Sequence, residues 1–456
     1  MAIKQVTAVQ AMEEFSCGKI LPASLNEMQG SWLALADTAE GRVLVCAYKN
    51  ECQPAALFVK KSSGKVNDLT VDVMELNPNN AAVVRRYLKW SAPQAQNGKG
   101  ISIAFSDWLG VAAAYAAPQF KLRQARPVLV DYAAANADIL KRNFLEAVDT
   151  ATWGVLELGY KEGYGANAAG LTTEEEIVKA LLYGYSMIGF DCSAKIDTKI
   201  EAMSADEVAA KYNELPEEFR NAMKASYLEA DFKAGDTVVH FEPEVLQRIV
   251  LEFGEAIMHT QYIYNTYLNN TPWDIDFELK LAKPDKLMTP QELYLISNEL
   301  QRNGIKMASM ELDAGKAAAE PEGMKVYGEI AATFGYRLSL FNADLYASAP
   351  GALAKAMKGQ VCLKMGNLLW LCALDVVKEK DAALMQQMQD FAGLPEFTGA
   401  ELLPAGEAAC AWALAYKKLL TPEAGFAAKI KKVLADNAAA YKEAVEKAVG
   451  AVLKEL

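Results

Sequence analysis

From residue 100 onward, short apolar runs alternate with longer amphipathic ones, and this alternation restricts the fold more than any other feature. Ile101–Phe105, Pro127–Val130 and Ser186–Phe190 read as buried strands, with further strands near 275–281, 306–312, 337–341 and 360–364. Between them lie helical stretches near 290–302, 324–334, 350–357 and 367–378. Short apolar strands separated by helices imply βαβ units and a parallel sheet. About eight units suit an α/β fold of the TIM-like (β/α)₈ type, with chemistry at the strand C-termini. An open doubly wound sheet is the runner-up, but no GxGxxG or GxxxxGK[ST] follows the first strand.

The rest of the chain divides around this core. Residues 1–95 carry short apolar runs such as Trp32–Ala36 and Val43–Ala47 between turn-like residues, and read as a β-rich N-terminal extension. The barrel is expected over 96–398 and a helical C-terminal tail over 399–456, with Thr421-Pro422-Glu423 as a helix start. Inside the barrel, one helix is expected from roughly 137 to 160, ending at the turn Gly163-Tyr164-Gly165. Thr172-Thr173 followed by three glutamates opens the next helix. Residues 204–268 read as mostly helical.

Composition removes several classes of function. The chain has 456 residues, is 52% hydrophobic and carries a formal net charge of -12. It has no dense Lys/Arg cluster, which argues against nucleic acid as a partner. No apolar run reaches spanning length and no signal-peptide core opens the chain, so no membrane partner is expected. Seven cysteines without a CxxC spacing read as reduced thiols in a cytoplasmic protein. There are only two histidines, His240 and His259, and both read as structural. Homo-oligomers are compatible with this composition.

Several stretches, in order, resemble the bacterial tagaturonate epimerases of uronate breakdown. Ala151-Thr152-Trp153-Gly154-Val155 with Gly159 to Ala166 resembles the family's "WxVFQxGxxEGFGAD". Phe190 to Asp197 resembles "IDPSDHVD", and Phe277 to Lys283 with Thr289 to Leu293 resembles "LEVSVDET…SPLEHL". Arg337 to Asp344 resembles "KLSLHSGSD", and Val361 to Lys364 resembles "VHLKT". The resemblance spans about 100 to 395 and implies a metal-dependent isomerase of keto-uronates. A retro-aldol route would suit it, with a metal to polarise the carbonyl and an acid/base pair.

Set against that pattern, the site residues have changed. The family's histidines are matched by Gly170, Lys195, Phe341 and Cys362, and an acid by Asn167 or Ala168. The acid pair of "VDET" is matched by Ala282 and Lys283, and an arginine-bearing segment by Met310 to Gly315. A transition metal wants imidazole and carboxylate ligands converging on one point. An ammonium about 4 Å from a divalent cation costs several kcal/mol even at an effective dielectric of about 20. No catalytic metal or other cofactor is therefore expected at the inherited position.

Asp107, Asp191, Lys195, Glu278, Lys283, Asn342 and Lys364 are the candidate ligand-binding residues, and no catalytic residue is assigned. Lys195, Lys283 and Lys364 would line one anionic-ligand pocket, or else Lys195 and Lys283 are solvated loop lysines, with a lysine Schiff base as a minor reading. Glu311, Asp313 and Asp344 are read as helix caps or water-facing acids in preference to a hard-cation site. Trp108, Phe341 and Trp370 are read as core filling in preference to a sugar platform. The expected function is a divergent family member without the parent epimerisation that binds a sugar acid or serves as a non-catalytic subunit or regulator. The alternatives are an active isomerase or lyase on a related sugar acid, and a partner-binding protein using exposed C-terminal helices.

Overall fold

Eight short runs of apolar and small residues, each set off by turn-formers, close into one parallel barrel in the computed structural model. Residues 3–50, 52–98, 100–143, 146–283, 286–315, 320–346, 349–399 and 407–456 are described. The barrel strands are β1 (Ile101–Phe105), β2 (Arg126–Ala133), β3 (Gly165–Leu171) and β4 (Met187–Asp191). They continue as β5 (Asp276–Lys280), β6 (Ser309–Leu312), β7 (Arg337–Leu340) and β8 (Val361–Met365). Each pairs in parallel with the next, and β8 pairs with β1 to close the ring. This is the TIM-like architecture that the alternation implies.

One strand is missing from the sequence reading. β3 has the sequence GANAAGL, and its first residue was taken as the end of a turn. Glycine and alanine are poor strand formers, but β2 and β4 supply a ladder on each side and decide the matter. The single helix expected at 137–160 is two, Ala134–Leu140 and Glu146–Leu158; residues 144 and 145 lie outside those described. Thr173 does cap Glu174–Tyr183, in a capping box with Glu176. Between β4 and β5, three helices (Ala205–Asn213, Glu217–Tyr227 and Pro243–Ile263) enclose a small hairpin, Phe232–Ala234 with Thr237–Val239.

The first hundred residues form a six-stranded antiparallel sheet. Its alternation sorts side chains onto two faces. Ala34, Ala36, Val43 and Val45 pack with the helix Gln5–Ser16, while Leu33, Leu35, Leu44 and Cys46 pack towards Pro78–Tyr87 and the barrel helix at Leu156.

The C-terminal helices are packed onto the barrel. They cover the helix Leu368–Lys380, which is buried almost all round. The Trp370 indole N–H donates to the Trp412 carbonyl at 2.9 Å, and the Tyr441 hydroxyl donates to the Leu369 carbonyl at 2.9 Å. Trp108 stacks on Tyr416 with ring centroids 4.5 Å apart. The helix expected at Thr421-Pro422 instead begins at Phe426. Residues 421–424 form a turn and Gly425 takes a left-handed φ of 69°, which the start of a helix cannot continue through. Residues 400–406, near the expected start of the tail, lie outside those described. No helix among the described residues is long and apolar enough to cross a membrane.

Candidate functional site: an ion network in the barrel lumen

Strand parity decides what enters the barrel. Because side chains alternate, Glu278 facing inward carries Asp276 and Lys280 inward with it. Their register partners on β4 and β6 follow: Asp191 lies beside Lys280, Ser309 beside Glu278 and Glu311 beside Lys280. β2 breaks the alternation. Its register to β3 shifts between Val128 and Val130, so Leu129 and Val130 both join the outer core. Val128 faces the lumen with Ala104 and Cys362, and Asp131 returns to the lumen beyond the bulge.

At the centre is Lys364 from β8, 2% exposed. Its Nζ lies 2.5 Å from Glu278 Oε1 and 3.5 Å from Asp131 Oδ1, and it also contacts Glu311. Asn167 Nδ2 donates to Asp131 at 2.9 Å and to Glu278 at 2.8 Å, and Ser309 Oγ donates to Glu278 Oε2 at 2.8 Å. One layer nearer the mouth, Lys280 Nζ lies 3.4 Å from both Asp191 Oδ2 and Glu311 Oε1. Its ammonium sits 5.7 Å from the centroid of the Phe341 ring. Glu311 thus bridges the two lysines.

Burial opposes the charge on Lys364, but Asp131, Glu278 and Glu311 outweigh it and hold its pKa well above the ordinary lysine value. For Glu278, burial pushes upward and the Lys364 ammonium overrides it, so its pKa is lowered. Asp131 goes the other way: burial pushes it up to about 6, with Lys364 pulling down. The three surrounding carboxylates make Lys364 an ion-pair partner in this structure. Asp131 has a consequence for stability. Its folded pKa exceeds the unfolded value of about 3.9, so ionising it costs stability progressively as pH rises through about 6. Asp131→Asn should remove that slope, making the stability difference from the parent larger at pH 7 than at pH 4.5 in urea titrations.

The structure brings together three of the seven candidates, Asp191, Glu278 and Lys364. The other four lie apart. Asp107 is engaged by backbone N–H groups: Gly110 at 2.8 Å, Ala112 at 2.7 Å and Ala113 at 2.9 Å. Lys195 is exposed and pairs with Glu255 at 2.8 Å. Lys283 turns outward into its own cage of Glu292 (2.6 Å), Glu201 (3.0 Å) and Glu252 (3.2 Å). Burial works against its charge, and these acids raise its pKa despite that. Asn342 takes a left-handed φ of 50° and accepts from Asn367 Nδ2 at 3.3 Å. The strand-end lysines therefore do not converge, and the lysines of the ion network are Lys280 and Lys364.

Glu311 corrects the sequence reading most sharply, since it is an interior ion-pair partner and neither a cap nor a solvated acid. Asp344 does cap, accepting the Asn367 N–H at 2.6 Å, and Asp313 is exposed. Asp131 and Lys280 are not among the sequence candidates, and Asn167 enters there only as the residue standing where the family pattern has an acid. Parity from Glu278 could have found Lys280, but Asp131 needed the bulge and Asn167 needed the unread strand. Trp108 and Trp370 are core residues, as expected, and Cys362 and Cys372 are buried. Both histidines lie outside the lumen. His240 is exposed beside Asp231 and Glu242, and His259 packs near Phe190 and Tyr262. The apolar cleft of about 600 Å³ under Glu217–Tyr227 is also outside the barrel, away from the ion network.

The residues present do not fit the divalent metal that the family resemblance implies. The lumen offers carboxylates without imidazole, and those carboxylates already surround two ammonium groups. Among the described residues, no group of three or more His, Cys, Asp or Glu side chains is placed to hold a metal.

Fold and lumen together define a TIM-like barrel of the α/β class with an internal polar centre, carrying an N-terminal antiparallel sheet and a C-terminal helical cover. The sequence model of the tagaturonate epimerase family (UxaE) matches residues 21–400, and the chain belongs to that family. It is 24% identical over 382 residues to the tagaturonate/fructuronate epimerase of Thermotoga maritima, covering 81% of this chain and 78% of that one. The fold matches crystal structures of the fructuronate-tagaturonate epimerase UxaE from Cohnella laeviribosi. The form with one glycerol has a TM-score of 0.86 at 24% identity, covering 97% of this chain and 98% of that one. The native form has a TM-score of 0.85 at 24% identity, covering 97% of each chain.

Proposed function

We propose that this chain keeps the scaffold of its family without performing metal-dependent epimerisation at the barrel mouth. The observation that carries this reading lies at the strand ends, where Gly170, Lys195, Phe341 and Cys362 stand in place of the family pattern's histidines and Ala282 and Lys283 in place of its acid pair. A transition metal wants imidazole and carboxylate ligands converging on one point, and those positions supply neither. The imidazoles of the family pattern are absent from the strand ends. Reduced thiols suit the cytoplasm as its location. Purified protein incubated with Mn, Zn or Ni and then desalted should retain far less than one equivalent, and tagaturonate should be recovered unchanged. About one tightly held metal per chain together with turnover would falsify the reading.

A second reading, that the mouth still binds a sugar acid, has one feature in its favour. Lys280 and the partly exposed Phe341 ring lie side by side, a cation next to an apolar face. Thermal-shift titration with hexuronates and ketouronates tests it, and a melting temperature that stays flat to tens of millimolar removes it.

A further inference from the structure

Below the Lys364 network the lumen holds another buried cation. Arg337 opens β7 and is fully buried. Its Nη1 donates to Gln96 Oε1 at a long 3.4 Å, while Nε and Nη2 have no partner. Asp276 feels its charge, but the two carboxylate oxygens are engaged by the backbone N–H groups of Gln96 at 2.7 Å and Asn97 at 2.9 Å. Among the described residues no carboxylate reaches Arg337 as an ion pair. A guanidinium buried with idle donors is among the most expensive arrangements a protein core can hold, and it calls for a counter-ion or ordered water.

The surroundings favour a small anion. The next layer up holds Ser339, Cys362 and Ser102 side by side across β7, β8 and β1. The Ser102 hydroxyl is fully buried and makes no hydrogen bond of ordinary geometry. Barrels of this type usually fill such layers with branched apolar side chains. Here the side chains are short, and Ser102 adds a donor that no protein group among the described residues accepts from. The floor is Gln96, whose Nε2 donates to the Pro127 carbonyl at 2.8 Å. Gly165 makes that seat available, since a Cβ there would meet the Gln96 amide nitrogen at 2.9 Å. Outside the floor lies a cleft of about 570 Å³ that includes Arg123 and Arg126, a basic approach to the same point.

We propose that Arg337 holds a monovalent anion of the halide class in the lower lumen, above the Gln96 floor. It is a structural counter-ion site, separate from the ion network at the mouth. The experiment combines two measurements. Crystals of the full chain in sodium bromide should show an anomalous peak within hydrogen-bond reach of Nε and Nη2. At constant ionic strength, with gluconate as the balancing anion, raising chloride from 1 to 100 mM should raise the melting temperature by roughly 1–3 °C. Arg337→Met should abolish that dependence. If this variant does not fold, the bromide map and the parent chloride series decide alone. Water without bromide in the map, or a melting temperature indifferent to chloride, overturns the proposal. Acetate or hexuronate displacing bromide would also overturn it, because the site would then be a carboxylate site.

Discussion

Lys364→Met should destabilise the protein by about 3–5 kcal/mol near pH 8, the range seen when one partner of a buried ion pair is removed. The substitution keeps an unbranched side chain but deletes the ammonium. Asp131, Glu278 and Glu311 are then left with Lys280 beside Glu311 and with the neutral donors Asn167 and Ser309. The sign of the pH dependence follows from the same geometry. In the parent, Glu278 titrates below its ordinary value, so its contribution is present above the unfolded pKa and lost as pH falls through the lower folded one. Without Lys364, burial dominates and the carboxylates titrate above their unfolded values. Their penalty is then absent at low pH and grows as pH rises. Urea unfolding at pH 4.5 and pH 8 should show a small defect at the first and the full defect at the second. Equal defects at both would mean that Lys364 acts through packing alone.

Trp412→Ala should cost about 3–5 kcal/mol, the usual range for emptying a buried tryptophan site. Trp412 is fully buried. Its indole N–H donates to the Pro395 carbonyl at 2.8 Å, and its carbonyl accepts from Trp370 at 2.9 Å. Its ring meets Phe397 edge-on at 5.4 Å between centroids. The substitution therefore opens a cavity where the C-terminal helices meet the helix that follows β8. Trp273, 52% exposed, is the control, and Trp273→Ala should change stability by less than about 0.5 kcal/mol. Unfolding of Trp412→Ala should remain a single transition at lower denaturant. A separate early transition, with the barrel unaffected, would show the C-terminal helices to be an independent unit.

Much of the fold was legible because its signals are local. Ile101–Phe105 and Val361–Met365 are apolar enough to be strands in any arrangement, and Thr173 with Glu176 writes a helix start into four residues. β3 was not legible, because GANAAGL becomes a strand only when two neighbours offer it a ladder. Thr421-Pro422 carried a good local start signal, and Gly425 overrode it one turn later. The site divides in the same way. Glu278 and Lys364 could be picked as strand-end charges, but Lys195 and Lys283 carried equal weight, since nothing in a sequence says which way a loop lysine turns.

By itself the sequence determined the class of fold, the family and the absence of imidazole from the strand ends, because periodicity, motif order and residue identity are properties of neighbours along the chain. Only the tertiary structure decided that Lys364 is enclosed by three acids, that Glu311 faces inward and that Arg337 makes no ion pair among the described residues. Those outcomes depend on the bulge in β2, on the pairing of eight strands and on the closure of the ring. Each is a relation between residues far apart in sequence, and burial, which sets the energy of every charge in the lumen, exists only once they are all in place.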